Sequence, residues 1–133
     1  MSKPTTNRRA AWQGMNWCRP ATRLAIYLRD GMACVWCGAG AEDAARLTLD
    51  HLRPHTHGGT NVPTNLVTAC VTCNSARGAQ SVSAFAARRA AGPAETMALI
   101  TAVRNKARRK LPRAQARALL KTRTTNPTSE DVS

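Results

Sequence analysis

The residues of this chain that are best suited to hold a metal ion are its five cysteines, four of which form two Cys-x-x-Cys pairs. Cys34 pairs with Cys37 and Cys70 pairs with Cys73, which leaves Cys18 over. Cysteine pairs at this spacing are typical of structural zinc, which binds four thiolates tetrahedrally and keeps no position open for substrate. The sequence therefore predicts a structural zinc ion bound by Cys34, Cys37, Cys70 and Cys73.

The segment between the two pairs is long enough to contain a site of its own. Zinc ribbons separate their pairs by roughly 15–20 residues, whereas the whole of residues 38–69 lies between the pairs here. Within this segment, Asp50 and His51 stand side by side at the end of a run of alternating apolar and polar residues. Aspartate is a hard oxygen ligand suited to Mg²⁺ or Mn²⁺, and histidine can accept a proton near neutral pH.

The position of the Asp50–His51 pair within its element limits what the pair can do. Neighbouring strand residues point to opposite faces, so the two can share a site only where the strand ends or bulges. Pro54 limits the strand and a glycine-containing loop follows, which allows such an end. An Asp-His pair alone is a weak signal. Between two cysteine pairs, and with Asn65 and Asn74 downstream, it indicates a metal-dependent nuclease centre.

Short helices and strands must position these residues. Apolar spacing and the positions of glycine and proline predict a helix over 20–29, strands over 47–52 and 65–69, a helix that continues through Arg77, and further helices over 83–91, 94–110 and 112–120. The expected class is α+β: two strands and a helix with two zinc knuckles, preceded by one helix and followed by basic C-terminal helices.

Composition and charge indicate the kind of partner. The chain has 133 residues and a formal net charge of +13. Such a balance favours a polyanionic partner, with nucleic acid ahead of an anionic membrane surface because no basic helix has a strong aromatic and leucine face. The cysteine pattern without an apolar leader predicts metal binding in a reducing cytoplasm rather than disulfides.

The charge also suggests how the chain is divided. We expect a basic arm over 1–19, the zinc-containing core over 20–80, a basic helical extension over 81–123 and a disordered tail over 124–133. Most of the 20 basic residues lie between Arg77 and Arg123, where Glu95 is the one acid. This one-sided charge favours phosphate contacts over an ordinary solvated face. The candidate DNA-binding residues are Arg53, Arg77, Arg104, Lys106, Arg108, Arg109 and Lys110.

Residues 20–80 resemble the HNH endonucleases, which have the ββα-metal fold. The matching residues are Arg29-Asp30-Gly31, Cys34-x-x-Cys37-Gly38, Leu49-Asp50-His51, Pro54, Gly58-Gly59, Asn65-Leu66 and Cys70-x-x-Cys73-Asn74-x-x-Arg77-Gly78. The chain is similar to the small stand-alone members common in phage and prophage genomes, some of which work beside the DNA-packaging terminase. Terminase subunits are therefore a candidate partner, in the cytoplasm of a bacterial host.

The resemblance implies a role for each motif residue. His51 would be the general base that deprotonates the attacking water, and Asp50 and Asn74 would hold one divalent cation, Mg²⁺ or Mn²⁺, against the scissile phosphate. Asn65 would be the middle residue of the family name, bonding across the loop so that His51 is aimed correctly. Arg77 occupies a position where the family usually has Lys or Arg, and is a candidate phosphate contact.

Two features of the histidine pattern leave alternatives open. Many members of the family have histidine where this chain has Asn74, and an amide is a weaker ligand that favours Mg²⁺ or Mn²⁺ over softer metals. His55 and His57 lie in a polar loop, and His57 is a further candidate ligand of the catalytic cation.

Two hypotheses about function follow. The first is a metal-dependent endonuclease, monomeric or weakly dimeric, that nicks or cuts double-stranded DNA and leaves 5′-phosphate and 3′-hydroxyl ends. The second is a non-catalytic, zinc-stabilised nucleic-acid-binding module or an accessory factor of a packaging terminase. Asp50, His51, Asn65 and Asn74 favour the first, because a binding module has no need for all four.

Overall fold

The structure is a computed structural model that describes residues 17–125. In chain order, and with labels used from here on, its elements are α1 (Pro20–Arg29), β1 (Leu47–His51), β2 (Leu66–Cys70), α2 (Val71–Arg77), α3 (Val82–Arg89), α4 (Pro93–Arg108) and α5 (Arg113–Thr125). Three 3₁₀ turns, Ala41–Asp43, His55–His57 and Pro63–Asn65, lie in the loops. The described chain is α+β with a β1–β2–α2 centre, which confirms the predicted fold class.

The predicted elements are present with small differences at their ends. Helix α5 runs to Thr125, past the predicted end at Leu120 and two residues into the segment expected to be a tail. It can do so because Pro127 is the next residue that breaks helices. Most of the basic arm predicted over 1–19 and most of the tail predicted over 124–133 lie outside the described residues.

Strands β1 and β2 pair antiparallel and set the positions of the chemically important residues. Leu47 lies opposite Cys70 at one end of the pair, and His51 lies opposite Leu66 at the other. Every residue of β2 is buried, which a short sheet covered on both faces requires. The loop over residues 52–65 therefore begins beside His51 and returns to the sheet beside the same residue.

Helix α1 is fastened to the sheet by a buried ion pair. The Arg29 guanidinium donates to both carboxylate oxygens of Asp30 at 2.8 and 3.1 Å, and to the carbonyl oxygens of Pro63, Leu66 and Ala107. Asp30 in turn accepts the backbone N–H of Thr68 in β2 at 2.8 Å. These bonds satisfy groups from α1, β2, α4 and the Pro63–Asn65 turn, so the pair holds four segments together.

Helices α3 and α4 share a hydrophobic core with the sheet. Phe85 of α3 and Val103 of α4 are buried with Trp36 and Val67, in the cluster that also contains Cys34, Cys70 and Cys73. A second buried cluster joins Ile26, Leu49 and Leu66 with Cys18. The basic helices after residue 80 are thus packed against the predicted core. None of the described helices is long and apolar enough to span a bilayer.

Breaking the Arg29–Asp30 pair should destabilise the protein strongly. Asp30→Ala leaves the Arg29 charge uncompensated in the interior and removes the acceptor of the Thr68 N–H. We expect a loss of about 3–5 kcal/mol in the free energy of unfolding, measured by urea denaturation. Glu42→Ala removes an exposed acid instead and should change stability by less than about 0.5 kcal/mol. Equal losses in the two variants would contradict the role assigned to the pair.

Candidate active site and metal centre

The structure brings the four paired cysteines into one cluster, called here the cysteine cluster: Cys34, Cys37, Cys70 and Cys73. Their sulfur atoms all lie within 4.8 Å of one another, and Cys37 Sγ and Cys70 Sγ are 3.8 Å apart. A tetrahedral zinc ion with Zn–S bonds of about 2.3 Å spaces its sulfurs by about 3.8 Å. The cluster therefore fits the structural zinc ion that the sequence predicts.

Backbone amides surround these sulfurs, as in a zinc knuckle. The N–H of Trp36 donates to Cys34 Sγ at 3.3 Å, that of Ala39 to Cys37 Sγ at 3.5 Å, and that of Cys73 to Cys70 Sγ at 3.3 Å. Gly38 adopts a φ of 81°, a left-handed conformation that glycine takes without strain. The turn at Gly38 thereby allows the backbone N–H of Ala39 to approach Cys37 Sγ.

Burial and hydrogen bonding act in opposite directions on the thiols of the cysteine cluster. Burial opposes ionisation of Cys70, but the backbone N–H of Cys73 and hydrogen bonds with the neighbouring thiols outweigh it and lower the pKa of Cys70. Burial raises the pKa of Cys34 and of Cys73. The positive charge of a bound metal ion would offset this rise, because it favours the thiolate form of its ligands.

Asp50 lies near the end of β1 and is buried, with 3% of its surface exposed. Arg77 Nη1 donates to its Oδ1 at 2.6 Å, and the indole Nε1–H of Trp36 donates to its Oδ2 at 2.9 Å. Burial raises the pKa of the Asp50 carboxyl, while the Arg77 charge and both hydrogen bonds act against that rise. Each carboxylate oxygen accepts one hydrogen bond and keeps a second lone pair for a cation.

His51 follows Asp50 and is partly exposed. Its Nε2 lies 2.8 Å from Asn61 Oδ1, and its ring packs against the Trp17 ring at a centroid distance of 5.1 Å. With the Asn61 amide oriented so that its oxygen faces the ring, Nε2–H donates to that oxygen, which makes Nδ1 the basic nitrogen of the neutral imidazole.

The side chain of Asn65 forms hydrogen bonds across the loop over residues 52–65. Its Nδ2 donates to the carbonyl oxygen of Thr60 at 2.7 Å and to that of Arg53 at 3.2 Å, and its Oδ1 accepts the Arg53 N–H at 2.8 Å. A side chain at Gly59 would collide with the Arg53 carbonyl, so the loop needs glycine there. The side chain that forms a hydrogen bond with the His51 imidazole is that of Asn61 rather than that of Asn65.

One cavity, called here the active-site pocket because the candidate catalytic residues line it, joins the end of β1 to helix α2. Its volume is about 270 Å³, and its lining includes Asp50, His51, His55, Asn74 and Gly78. Asp50 and His51 can share it because β1 ends at His51, where the alternation of faces breaks down. The lining includes His55 and not His57, which lies exposed on the same turn.

Arg77 has a different position from the one expected of a phosphate contact. It is 1% exposed, and its guanidinium donates to Asp50, to the carbonyl oxygens of His51, Leu52 and Gln80, and lies over the Trp36 ring. A buried guanidinium with these partners does not reach a DNA backbone. The prediction of a phosphate contact at Arg77 is therefore replaced by a structural role at the end of β1.

The other candidate DNA-binding residues are at the surface. Arg53, Arg104, Arg108, Arg109 and Lys110 are exposed and Lys106 is partly exposed. Arg108, Arg109, Lys110 and Arg113 line a cleft of about 690 Å³ together with Val62, Pro63 and Thr64 of the 52–65 loop. This basic cleft runs between the loop that closes beside His51 and the junction of α4 with α5.

A two-stranded antiparallel sheet, a helix after its second strand and a cysteine cluster across both define a zinc-clamped ββα domain. Comparison with known families gives the same class: the family model of the HNH endonuclease matches residues 34–80, which are 47 of the 133 residues. This match confirms the resemblance for residues 34–80, and a domain of that family implies a nucleic-acid substrate. Searches of curated proteins and of solved structures returned no match.

Three contacts at the site were not predicted from the sequence. These are the hydrogen bond from Trp36 to Asp50, the hydrogen bond between His51 and Asn61, and the packing of Trp17 on His51. The type and spacing of these residues carry no signal for the contacts. The partners are up to 34 residues apart in the chain, between Trp17 and His51, and only the fold brings them together.

Loss of one ligand from the cysteine cluster should release zinc and unfold the centre. Cys73→Ala is expected to abolish the stoichiometric zinc measured by mass spectrometry and to reduce the helical circular dichroism signal, because the zinc-binding free energy contributes directly to folding. Cys18→Ala also removes a buried thiol, but one outside the cluster, and should keep both zinc and signal. Full zinc content in the Cys73 variant would refute the assignment.

Proposed function

We propose that this protein is a metal-dependent DNA endonuclease whose catalytic residues surround the active-site pocket. The observation that supports this most directly is the meeting of Asp50, His51 and Asn74 in that one cavity. An acidic oxygen ligand, an amide oxygen ligand and an imidazole base are the three groups that hydrolysis of a phosphodiester with one divalent cation needs. A domain that only binds nucleic acid has no use for this combination.

Asp50 and Asn74 are the proposed ligands of the catalytic cation. Both offer oxygen atoms, which suit Mg²⁺ or Mn²⁺. The cation, when bound, offsets the negative charge that develops on the phosphorane and on the leaving 3′-oxygen. His57 has weaker support as a further ligand, since the pocket lining includes His55 in its place.

His51 is the proposed general base. Its Nδ1 takes a proton from water as the water oxygen attacks phosphorus and the bond from phosphorus to the 3′-oxygen breaks. The leaving 3′-oxygen gains a proton from solvent, so the products carry 5′-phosphate and 3′-hydroxyl ends. Asn61 supports this role because it binds Nε2 and so leaves Nδ1 as the basic nitrogen. Asn65 supports it indirectly, by closing the loop that contains Asn61.

Double-stranded DNA is the proposed substrate, and the basic cleft is its proposed contact surface outside the pocket. The cleft contains four cationic side chains and includes part of the 52–65 loop. A phosphate backbone held there would pass near the loop that His51 adjoins. Such contacts give affinity and salt dependence but little sequence preference.

The rival function is a zinc-stabilised nucleic-acid-binding module without catalysis. It shares the cysteine cluster and the basic cleft with the nuclease and differs only in what Asp50, His51 and Asn74 do. A terminase partner, a phage origin, a bacterial cytoplasmic location and a monomeric or weakly dimeric state stay predictions of the family resemblance.

Cleavage of supercoiled plasmid tests the catalytic proposal. The zinc-loaded protein should nick or cut the plasmid with Mg²⁺ or Mn²⁺ and not with EDTA. His51→Ala should reduce the rate at least about 100-fold, the typical contribution of a general base, while zinc content and DNA affinity stay near the parent values. Glu42→Ala serves as the control, because Glu42 is exposed and lies outside the pocket lining. A parent protein that binds plasmid and never cuts it would favour the rival function.

The salt dependence of DNA binding tests the basic cleft. Replacing Arg109 and Lys110 together by glutamine should lower the slope of log K against log salt by about 2, because each lost phosphate contact releases about one counterion fewer. The matched control replaces Arg46 and Arg88, two exposed cations outside the cleft lining. If both double variants changed the slope equally, the cleft would not be the contact surface.

A further inference from the structure

Trp36 contacts both the cysteine cluster and the carboxylate of Asp50. It is the second of the two residues between Cys34 and Cys37, and its backbone N–H donates to Cys34 Sγ at 3.3 Å. Its side chain extends the other way, where Nε1–H donates to Asp50 Oδ2 at 2.9 Å. One residue thus connects a sulfur of the cysteine cluster to the carboxylate proposed to hold the catalytic cation.

The surroundings of Trp36 fix the direction of its N–H. The residue is 5% exposed. Its ring packs edge-on against Phe85 at a centroid distance of 4.9 Å and an angle of 81°, and the Arg77 guanidinium lies 5.7 Å from the ring centre. With its backbone held by the knuckle and its ring held on two sides, the indole has little freedom to turn away from Asp50.

The carboxylate of Asp50 is held at both oxygens as a result. Arg77 binds Oδ1 and Trp36 binds Oδ2. An indole N–H can only donate, so this contact constrains the carboxylate without competing for a cation. A ligand already held in its binding orientation loses less conformational freedom when the ion arrives, which raises affinity.

We propose that Trp36 is a positioning residue that couples the zinc knuckle to the catalytic cation site by holding the Asp50 carboxylate in its binding orientation. This rests on the proposed function, because it takes Asp50 as a ligand of the divalent cation. The proposal assigns the first cysteine pair, Cys34 and Cys37, a second role besides its role in folding. The order imposed on residues 34–37 by zinc reaches the active-site pocket through one indole ring.

Direct binding of Mn²⁺ to the zinc-loaded protein without DNA, measured by titration calorimetry, tests this coupling. Trp36→Phe keeps an aromatic ring and removes the N–H, and we expect it to weaken Mn²⁺ binding about ten-fold or more, the effect of losing a hydrogen bond to a buried charged group. Zinc content should not change. Phe85→Leu is the matched control, since it disturbs the packing of the same ring and keeps the hydrogen bond; it should lower the melting temperature and leave Mn²⁺ affinity near the parent value.

Two results would overturn the proposal: parent-like Mn²⁺ affinity in Trp36→Phe, or equal losses of affinity in the two variants, which would indicate general loosening. If Trp36→Phe fails to fold, benzothienylalanine at position 36 replaces the N–H by sulfur in a ring of nearly the same shape, and the same ten-fold loss is expected. Failure of the proposed function can be distinguished from failure of the proposal for Trp36. In the first case the parent protein itself would bind no Mn²⁺ and cut no plasmid.

Discussion

Four cysteine sulfurs within 4.8 Å of one another can all be ionised only if a cation neutralises their mutual repulsion, and the rest of the domain depends on this constraint. The first cysteine pair precedes β1, and the second joins β2 to α2. A zinc ion bound by both pairs therefore closes the chain around the two strands. In so small a domain, with few aromatic residues, such a metal supplies stability that burial alone supplies poorly.

Two buried arginines, in addition to the zinc ion, hold segments of the domain together. Arg29 neutralises Asp30 and ties α1 to β2, α4 and the Pro63–Asn65 turn. Arg77 neutralises Asp50 and donates to the carbonyl oxygens of His51 and Leu52, where β1 ends. A guanidinium has five donors in a rigid fork, so it can satisfy a carboxylate and several carbonyls at once. Both arginines therefore act as fixed parts of the interior, although the chain is rich in arginines that face solvent.

The packing of α3 and α4 relates the basic surface to the pocket. Val103 and Ala107 are buried on one side of α4, and the cations after Ala107 lie at the surface. The Ala107 carbonyl accepts a hydrogen bond from Arg29. The start of the basic cleft is thereby held by the same buried network that holds the 52–65 loop at Pro63. A nucleic acid in the cleft would meet a surface whose distance from the active-site pocket is set by the core.

The sequence by itself determined the local features of this protein. The spacing of its cysteines predicted the cysteine cluster, because two ligands with two residues between them in a tight turn can bind one ion wherever the turn lies. The positions of prolines and glycines, with the apolar pattern, predicted the order of the elements to within a few residues, because these preferences act over short stretches of chain. Asp50 and His51 were singled out by the chemistry of their side chains and Asn74 by the family resemblance, and the pocket lining includes all three.

Only the tertiary structure decided which side chains those residues meet. The sequence motif marks Arg77 but does not name its partner, and the side chain is buried against Asp50, 27 residues away. Trp36 and Asn61 gave no signal of their contacts with Asp50 and His51, and Asn65 closes the loop without touching the imidazole. Burial and partner choice depend on how separate segments pack, and no pattern within one segment determines that packing.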